Sequence, residues 1–596
     1  MDRNVVIATV LIALIMVVWL TWLTPPAPTV DPSARTEEDS SAVFADPEPV
    51  VVSIDSSGVP PAQLDSTVAA ISVGAEKEIT ISTDLYEAVF STKGATLTSW
   101  ELKTYRTADG KRDVQLVDTT QSGALSLVFT SPANRIYDTR SFYFDADSDV
   151  DRIEVGDSVE TIRFRAAIAD GALVVSYRFV RDSYEVGVSI DFERPESFMT
   201  GTGYEVVWNG GVPFSEDDHQ DEGIRAGAYA SSGGEVEQVS LANEAVETKS
   251  LRGQVDWVAV KSKFFAAVVI PDGPTSGASL TGERFGEPAD SLLRHDYVAS
   301  LAMPFPETLA AGFRAYLGPM EYYRIREYDL GLYDMVDYGW DFFETVTRPL
   351  AKFVFIPTFT FLGRWIPNYG LVIILFSILI KLAVHPLTKS SFTSMAKMRD
   401  LQPQMEAIKE KHADNPQKQQ EAMMRMYKEA GVNPLGGCLP MLLQYPIIIA
   451  LWQFLPQAIE IRQQGFLWAA DLSAPDVILN LPFTIPFYGN FVAGFTLLMG
   501  ISMVFQMRLQ AQPSSNPQAK IFMYVFPIMI FAIFNKLASG LNLYYFCYNV
   551  LTAGHQQLIN RKMAAEKAAG AAVGVAGRAK ATPAPKNNGR STPKKK

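Results

Sequence analysis

The sequence predicts an α-helical polytopic membrane protein, with six transmembrane helices, five of them forming one core, joined to an all-β sandwich domain. Three observations predict it. Long uncharged apolar runs lie at the N-terminus and beyond residue 368, short alternating β-prone stretches fill much of the region between, and charge divides along the same boundaries. Residues 24–350 hold 54 acidic against 26 basic side chains and the remainder 11 against 26, so the net charge of −13 conceals an acidic part and a basic one. Such a split fits compartments on opposite faces of a membrane.

The first element is Val5–Leu23, 19 residues without a charge. At ~1.5 Å per residue it can cross ~30 Å of hydrocarbon. Pro25, Pro26 and Pro28 follow it, and the core is longer than that of a cleaved signal peptide, so residues 1–23 read as a retained anchor. Residues 24–70, rich in Pro, Asp, Ser and Ala, read as a disordered tether. Over 71–335 the stretches Leu125–Thr130, Leu173–Val180, Tyr184–Phe192, Tyr204–Trp208 and Val255–Ile270 are β-prone and separated by Gly, Asp and Ser clusters. They predict a mostly antiparallel sandwich. Both cysteines, Cys438 and Cys547, fall in apolar segments outside this region, so the sandwich must rest on its own core and the cysteines read as packing residues. Trp340–Arg364 is apolar but broken by Arg348, Pro349, Lys352 and Pro357, which makes 336–368 an interfacial amphipathic element.

Five more spans are expected within 369–559, at Tyr369–Leu387, Leu435–Leu455, Phe487–Met507, Ile521–Leu537 and Leu541–Ile559. Between the first two of these, residues 388–434 carry eight Lys and Arg; the tail 560–596 carries ten, with Glu566 as its single acid. The loop 456–486 has only Arg462 against three acids. An excess of Lys and Arg marks cytoplasmic loops, so both termini are expected in the cytoplasm and the β domain outside. Within 388–432 the Met-, Lys- and Gln-rich runs flanking Asn415-Pro416 predict a helical hairpin with a soft, adaptable surface. A plain connector is the alternative, but the 47 residues of 388–434 are far more than a connector needs.

Lys381 stands in an otherwise aliphatic run about two turns before Lys389. A lysine at membrane depth costs roughly 2.5–3.5 kcal/mol on insertion scales, so it should face protein or a wet cavity. The competing reading is a lysine that snorkels to the inner headgroups. No Asp or Glu lies in the expected spans, so the partners expected for Lys381 are neutral: Ser377 one turn earlier on the same face, Gln444, Gln506, Asn542 and Asn549. A cation among neutral groups implies hydration and hence a water-accessible groove. Tyr544 and Tyr545 are also consistent with an aromatic belt.

Ser539 and His555 superficially suggest a serine-protease dyad, but Leu537 breaks the Gly-x-Ser-Gly pattern and the two lie about four turns apart. No His-Glu-x-x-His, P-loop or metal-spaced cluster is visible. A transporter would call for internal repeats and midplane carboxylates, which the sequence lacks.

Three groups of residues then carry a resemblance. They are Pro386-Leu-Thr-Lys389 with Ser394-Met-Ala-Lys-Met398 and Leu401-Gln-Pro403; Asn433-Pro-Leu-Gly-Gly-Cys438 with Pro440 and Gln444-Tyr-Pro446; and Ser539-Gly540 with Leu543-Tyr-Tyr545. In this order they resemble the YidC family of membrane insertases over residues 337–560, in its Gram-negative branch with a large periplasmic domain. The resemblance implies an inner-membrane insertase and folding chaperone without covalent chemistry, cofactor or metal. Its groove would open to the cytoplasm and to lipid. Lys381 occupies the groove's usual arginine position, which keeps the charge but loses the planar fork of donors. Ser377 and Gln444 match groove-lining positions, and Tyr545 matches an aromatic that meets passing substrate helices. The implied partners are nascent membrane proteins, the Sec translocon, membrane lipids, and the ribosome through the hairpin and basic tail. The β domain should resemble sugar-binding sandwiches.

Overall fold

A computed structural model describes residues 66–579, apart from 149, 287–292, 307–309, 339–340, 414, 432–438, 486–487 and 511–516. The expected anchor at 5–23, the tether up to 65, the motif at 433–438 with Cys438, and the tail beyond 579 lie outside these residues. The chain divides into two units, Met1–Asp337 and Tyr338–Lys596.

Among the described residues of the first unit the strands form sheets of nine, six and five. Pairing is antiparallel, except where Glu78–Ser82 runs parallel to Arg152–Glu154. The nine- and six-stranded sheets pack face to face, Trp257–Lys261 against Arg294–Pro304 and Gly227–Ser232 against Gly277–Phe285. Strand sequences follow this layering. In Glu160–Ile168 the residues Ile162, Phe164, Ala166 and Ile168 are buried while Thr161, Arg163, Arg165 and Ala167 are exposed, the period of two that one covered face imposes. Trp257–Lys261 is buried throughout, as a strand covered on both faces must be. The stretch read as one unit at 255–270 is two strands, Trp257–Lys261 and Phe265–Pro271, with the Ser262 N–H donating to the Phe265 carbonyl at 2.9 Å across the turn. A uniformly apolar run conceals such a turn, because no alternation marks where it reverses. In the five-stranded sheet Tyr86 and Trp100 stack with ring centroids 3.7 Å apart, both fully buried. A short helix α1 (His219–Arg225) is capped by the Asp218 carboxylate, which accepts from the Asp221 N–H.

The second unit is helical. It opens with α2 (Asp341–Leu350), a π-helical turn at Ala351–Phe355 and α3 (Ile356–Gly363). Pro349 and Pro357 remove two backbone donors here, which accounts for the irregular turn. Phe353, Phe361 and Trp365 remain exposed, from 62% to 78%. The helices that follow are α4 (Tyr369–Asp400), α5 (Gln402–Lys411), α6 (Pro416–Glu429), α7 (Leu439–Gln457), α8 (Gly494–Gln510), α9 (Pro517–Phe534) and α10 (Ser539–Ala579). Asn415 caps α6 by accepting the Lys418 N–H at 3.1 Å, and Pro416 fills the first helical position, where its missing N–H costs nothing. The Tyr427 hydroxyl reaches Met405 Sδ across the α5–α6 hairpin at 3.4 Å. Helix α10 packs along both α4 and α8, and α7 touches α2, α4 and α10.

Two expectations change. The run 487–507 was expected to be helical throughout, whereas Gly489–Ala493 pairs with Val477–Ile485 as a β-hairpin and the helix starts at Gly494. Gly489, at φ +105°, turns the chain near the start of a run that hydropathy alone reads as continuous. Helix α4 does not stop near Leu387: it continues through Pro386 to Asp400, into the stretch expected to form the first arm of the hairpin. Among the described residues one stretch, Tyr369–Pro386, is long and apolar enough by length and composition to cross a bilayer, and Gly494–Leu509 is apolar but shorter.

Candidate functional site

The site is built where α4 meets α10. Residues 369–386 of α4 are apolar apart from a few polar side chains, so a charged one is conspicuous. Lys381 is 7% exposed and turned toward α10. Its ammonium donates to Thr552 Oγ1 at 2.7 Å and lies 4.6 Å from the centre of the Tyr548 ring. Thr552 and Tyr548 are one turn apart on α10, so a single helix face presents a hydroxyl and a π-surface to one cation. The lysine is therefore held within the bundle rather than extended along its surface.

Toward the N-terminal end of α4 an aromatic cluster lies beside this group. Phe376 packs against Phe355 at 5.4 Å, Phe359 at 5.1 Å and Tyr544 at 6.0 Å, and Phe359 meets Phe454 at 5.6 Å. One turn beyond Lys381, the His385 and His555 rings lie 4.5 Å apart. The line from aromatics through the ammonium to the paired imidazoles thus grades from apolar to polar along α4.

The other expected site residues are placed as follows. Ser377 is fully buried one turn before Lys381, and its hydroxyl donates to the Ile373 carbonyl at 2.7 Å. Its proton is spent on its own helix, leaving lone pairs as its polar contribution. Gln444 is half-buried on α7 and Tyr545 half-buried on α10, with its ring edge-on to Phe534 at 5.1 Å. Asn542 and Asn549, expected near Lys381, face α8 instead: Asn542 Nδ2 donates to Thr496 Oγ1 at 2.7 Å and Asn549 Nδ2 to Ser502 Oγ at 3.1 Å. Thr552 and Tyr548 take the role expected of them. The spacing held a clue, since 542 and 549 share one stripe of α10 while 548 and 552 share another.

Ser539 is also accounted for. Its hydroxyl donates to the Asp471 carbonyl at 2.8 Å and its N–H to the Ala474 carbonyl at 2.8 Å, while Gly540 lets the Leu472 carbonyl approach to 2.9 Å of where a Cβ would stand. The Ser-Gly pair seats the 471–474 turn on the start of α10 and does not meet His555, which lies sixteen residues along the same helix, ~24 Å away.

Comparison with known proteins bears on both units. The YidC periplasmic domain family matches residues 78–353, and the family described as 60Kd inner membrane protein matches residues 361–567. The membrane protein insertase YidC of Chlorobium luteolum is 39% identical over 575 residues, covering 94% of this chain and 95% of that one. The chain belongs to the YidC family of membrane protein insertases. A second family member, from Chlorobaculum tepidum, is 37% identical over 601 residues, 99% of this chain and 100% of its own. Among solved structures, an active YidC insertase crystal structure with its first transmembrane domain resolved covers 81% of this chain and 93% of its own at 21% identity and a TM-score of 0.32. A galactose mutarotase related enzyme from Lactobacillus acidophilus covers 40% of this chain and 97% of its own at 11% identity and a TM-score of 0.26.

The β unit of this YidC-family chain holds a second buried polar cluster, around α1, that the sequence reading did not single out. The fully buried Glu222 carboxyl accepts the N–H groups of Ser215 and Glu216 at 3.0 and 2.9 Å. Burial first, and the Glu216 charge second, push it up to about 8. Burial would also raise Asp221, but Arg225 at 3.0 Å and Lys263 at 2.8 Å hold it well below the usual carboxylate range. Burial pulls Lys261 down to about 7, while its ammonium donates to the Arg225 carbonyl at 2.6 Å.

Proposed function

We propose that this chain inserts nascent membrane proteins into the bilayer without covalent chemistry, through a groove lined by Lys381, Ser377, Gln444 and Tyr545. The reading rests on one observation above the others: a lysine in an apolar helix is folded into the bundle against Thr552 and Tyr548. A buried cation stabilised by neutral partners keeps most of its field, because low dielectric strengthens every interaction it makes. An acidic or polar flank of a nascent chain is drawn toward that field and escapes part of the several kcal/mol that an unpaired polar group costs in hydrocarbon. Its apolar segment then passes Tyr545 and moves into lipid, driven by burial of apolar surface. The aromatic cluster around Phe376 supports closure toward the N-terminal end of α4.

The topology belonging to this reading has six spans, both termini in the cytoplasm and the β unit in the periplasm of an inner membrane. The α2–α3 segment then lies in the interface with Phe353, Phe361 and Trp365 toward lipid. The α5–α6 hairpin and the basic tail face the ribosome, and the chain works alone or beside the Sec translocon. The test is insertion of a client with an acidic outer segment into vesicles carrying the full chain. Lys381→Ala is expected to lower the inserted fraction at least tenfold and Lys381→Arg to retain it; full insertion by Lys381→Ala sinks the reading.

A further inference from the structure

On the opposite side of α8 from the lysine, a cleft of about 440 Å³ runs between α8 and α9. Leu497, Ile501, Phe505 and Arg508 follow one another on α8 at spacings of four, four and three, so they form one stripe. Ile528 and Phe531 face them from α9. The walls are apolar and open: Ile501 is 61% exposed, Phe505 52% and Ile528 67%. Gly500 leaves the floor low, since a Cβ there would come within 3.4 Å of the Phe531 ring.

Length and charge identify the occupant. From Leu497 to Arg508 is eleven residues, or ~16 Å of helix at ~1.5 Å per residue. That equals the depth of one leaflet, half of the ~30 Å hydrocarbon thickness, whereas a client helix needs the full thickness and about 20 residues. The stripe also ends on a guanidinium, the side chain best shaped for a phosphate. We propose that the α8–α9 cleft is a phospholipid site, in which one acyl chain of a lipid in the cytoplasmic leaflet lies along Leu497–Phe505 and Arg508 takes its phosphate. The assignment to the cytoplasmic leaflet rests on the six-span topology above; the site itself rests on the cleft and its terminal arginine. A lipid held there would cover an apolar surface beside α9 that would otherwise compete for client helices.

The test is native mass spectrometry of the full-length chain, offered phosphatidylglycerol and phosphatidylcholine in equal amounts. The wild type is expected to keep one lipid through activation, mostly phosphatidylglycerol. Gly500→Leu, which fills the floor, is expected to lose that lipid whatever its headgroup. Arg508→Gln changes an exposed side chain at the end of α8; it is expected to keep a lipid while its preference for phosphatidylglycerol falls about fivefold, the effect of roughly one cationic residue at a headgroup. Equal lipid retention in all three proteins would overturn the proposal. So would a photo-crosslinker at position 505 that captures a client helix rather than lipid in vesicles. Client insertion is scored separately: a chain that retains the lipid but inserts nothing refutes the insertase reading and leaves the lipid site standing.

Discussion

Replacing Thr552 by Val keeps the shape of the side chain and removes a hydroxyl that accepts from the Lys381 ammonium at 2.7 Å. Thr552 is 2% exposed and Lys381 7%, so water does not readily take the lost place. A hydrogen bond to a charged group contributes about 1.5–3 kcal/mol net, while the contact with the Tyr548 ring, which the substitution leaves in place, is worth about 0.5–2 kcal/mol. The expected loss is therefore about 2 kcal/mol, roughly thirtyfold in any equilibrium that depends on the ammonium holding this position. Client insertion into vesicles and the thermal midpoint of the full chain should both fall in Thr552→Val. A double-mutant cycle with Lys381→Met isolates the pair: once the ammonium is gone, the second substitution should cost less than about 0.5 kcal/mol. If Thr552→Val inserts clients and melts like the wild type, or if the cycle shows no coupling, then the hydroxyl does not position the lysine and the proposed groove loses its central contact.

Three further outcomes follow from other contacts. Glu222 is held protonated up to about pH 8, against an ordinary value of 4.5, so its contribution to stability is complete below pH 4.5 and is lost as pH rises through 8. Glu222→Gln mimics the protonated form; between pH 5 and 8 the wild type should lose stability relative to it by up to about 1.4 kcal/mol per pH unit, read by hydrogen exchange at the 215–216 amides. Asp476 accepts the Phe495 N–H and the Trp468 indole N–H, each at 2.7 Å, so Asp476→Ala should destabilise the start of α8 by about 1–2 kcal/mol in thermal unfolding. Gly540→Ala would press a Cβ against the Leu472 carbonyl at 2.9 Å; a cost of about 1–3 kcal/mol is expected in the same measurement, with α10 amides exchanging faster near residue 540.

What the sequence makes legible depends on the range of the interaction. Strands such as 160–168 and 185–193 carry their alternation locally, and Asn415-Pro416 announces a cap within four residues, so both can be read directly. Lys381 is legible for the same reason, as a charge set in its own apolar helix. Its partner is not, because Thr552 is 171 residues away and is an ordinary helical threonine until α10 packs against α4. Polarity alone pointed to Asn542 and Asn549, the more conspicuous side chains, but they lie on the stripe that faces α8. The hairpin at 477–493 was hidden for a different reason. Its second strand opens a run as apolar as a span, and Gly489, at φ +105°, is the local sign of the reversal. The cluster around α1 joins residues as far apart as Ser215 and Lys263, so no single stretch announces it.

The asparagines near the start of α10 also act as a fulcrum. Asn535 accepts the Ala493 N–H at 2.9 Å and donates to the Phe491 carbonyl at 2.7 Å, and Asn542 joins Thr496 to the Phe534 carbonyl. The adjoining ends of α8, α9 and α10 are thereby knotted at one level. From that knot α9 extends back seventeen residues to Pro517, an arm of ~26 Å. A swing of ~10° about the knot carries the far end of α9 by ~4–5 Å and moves Phe531, beside the knot, by less than ~1 Å. Leverage of this kind would widen the space next to α9 at its far end and leave the end beside the knot in place.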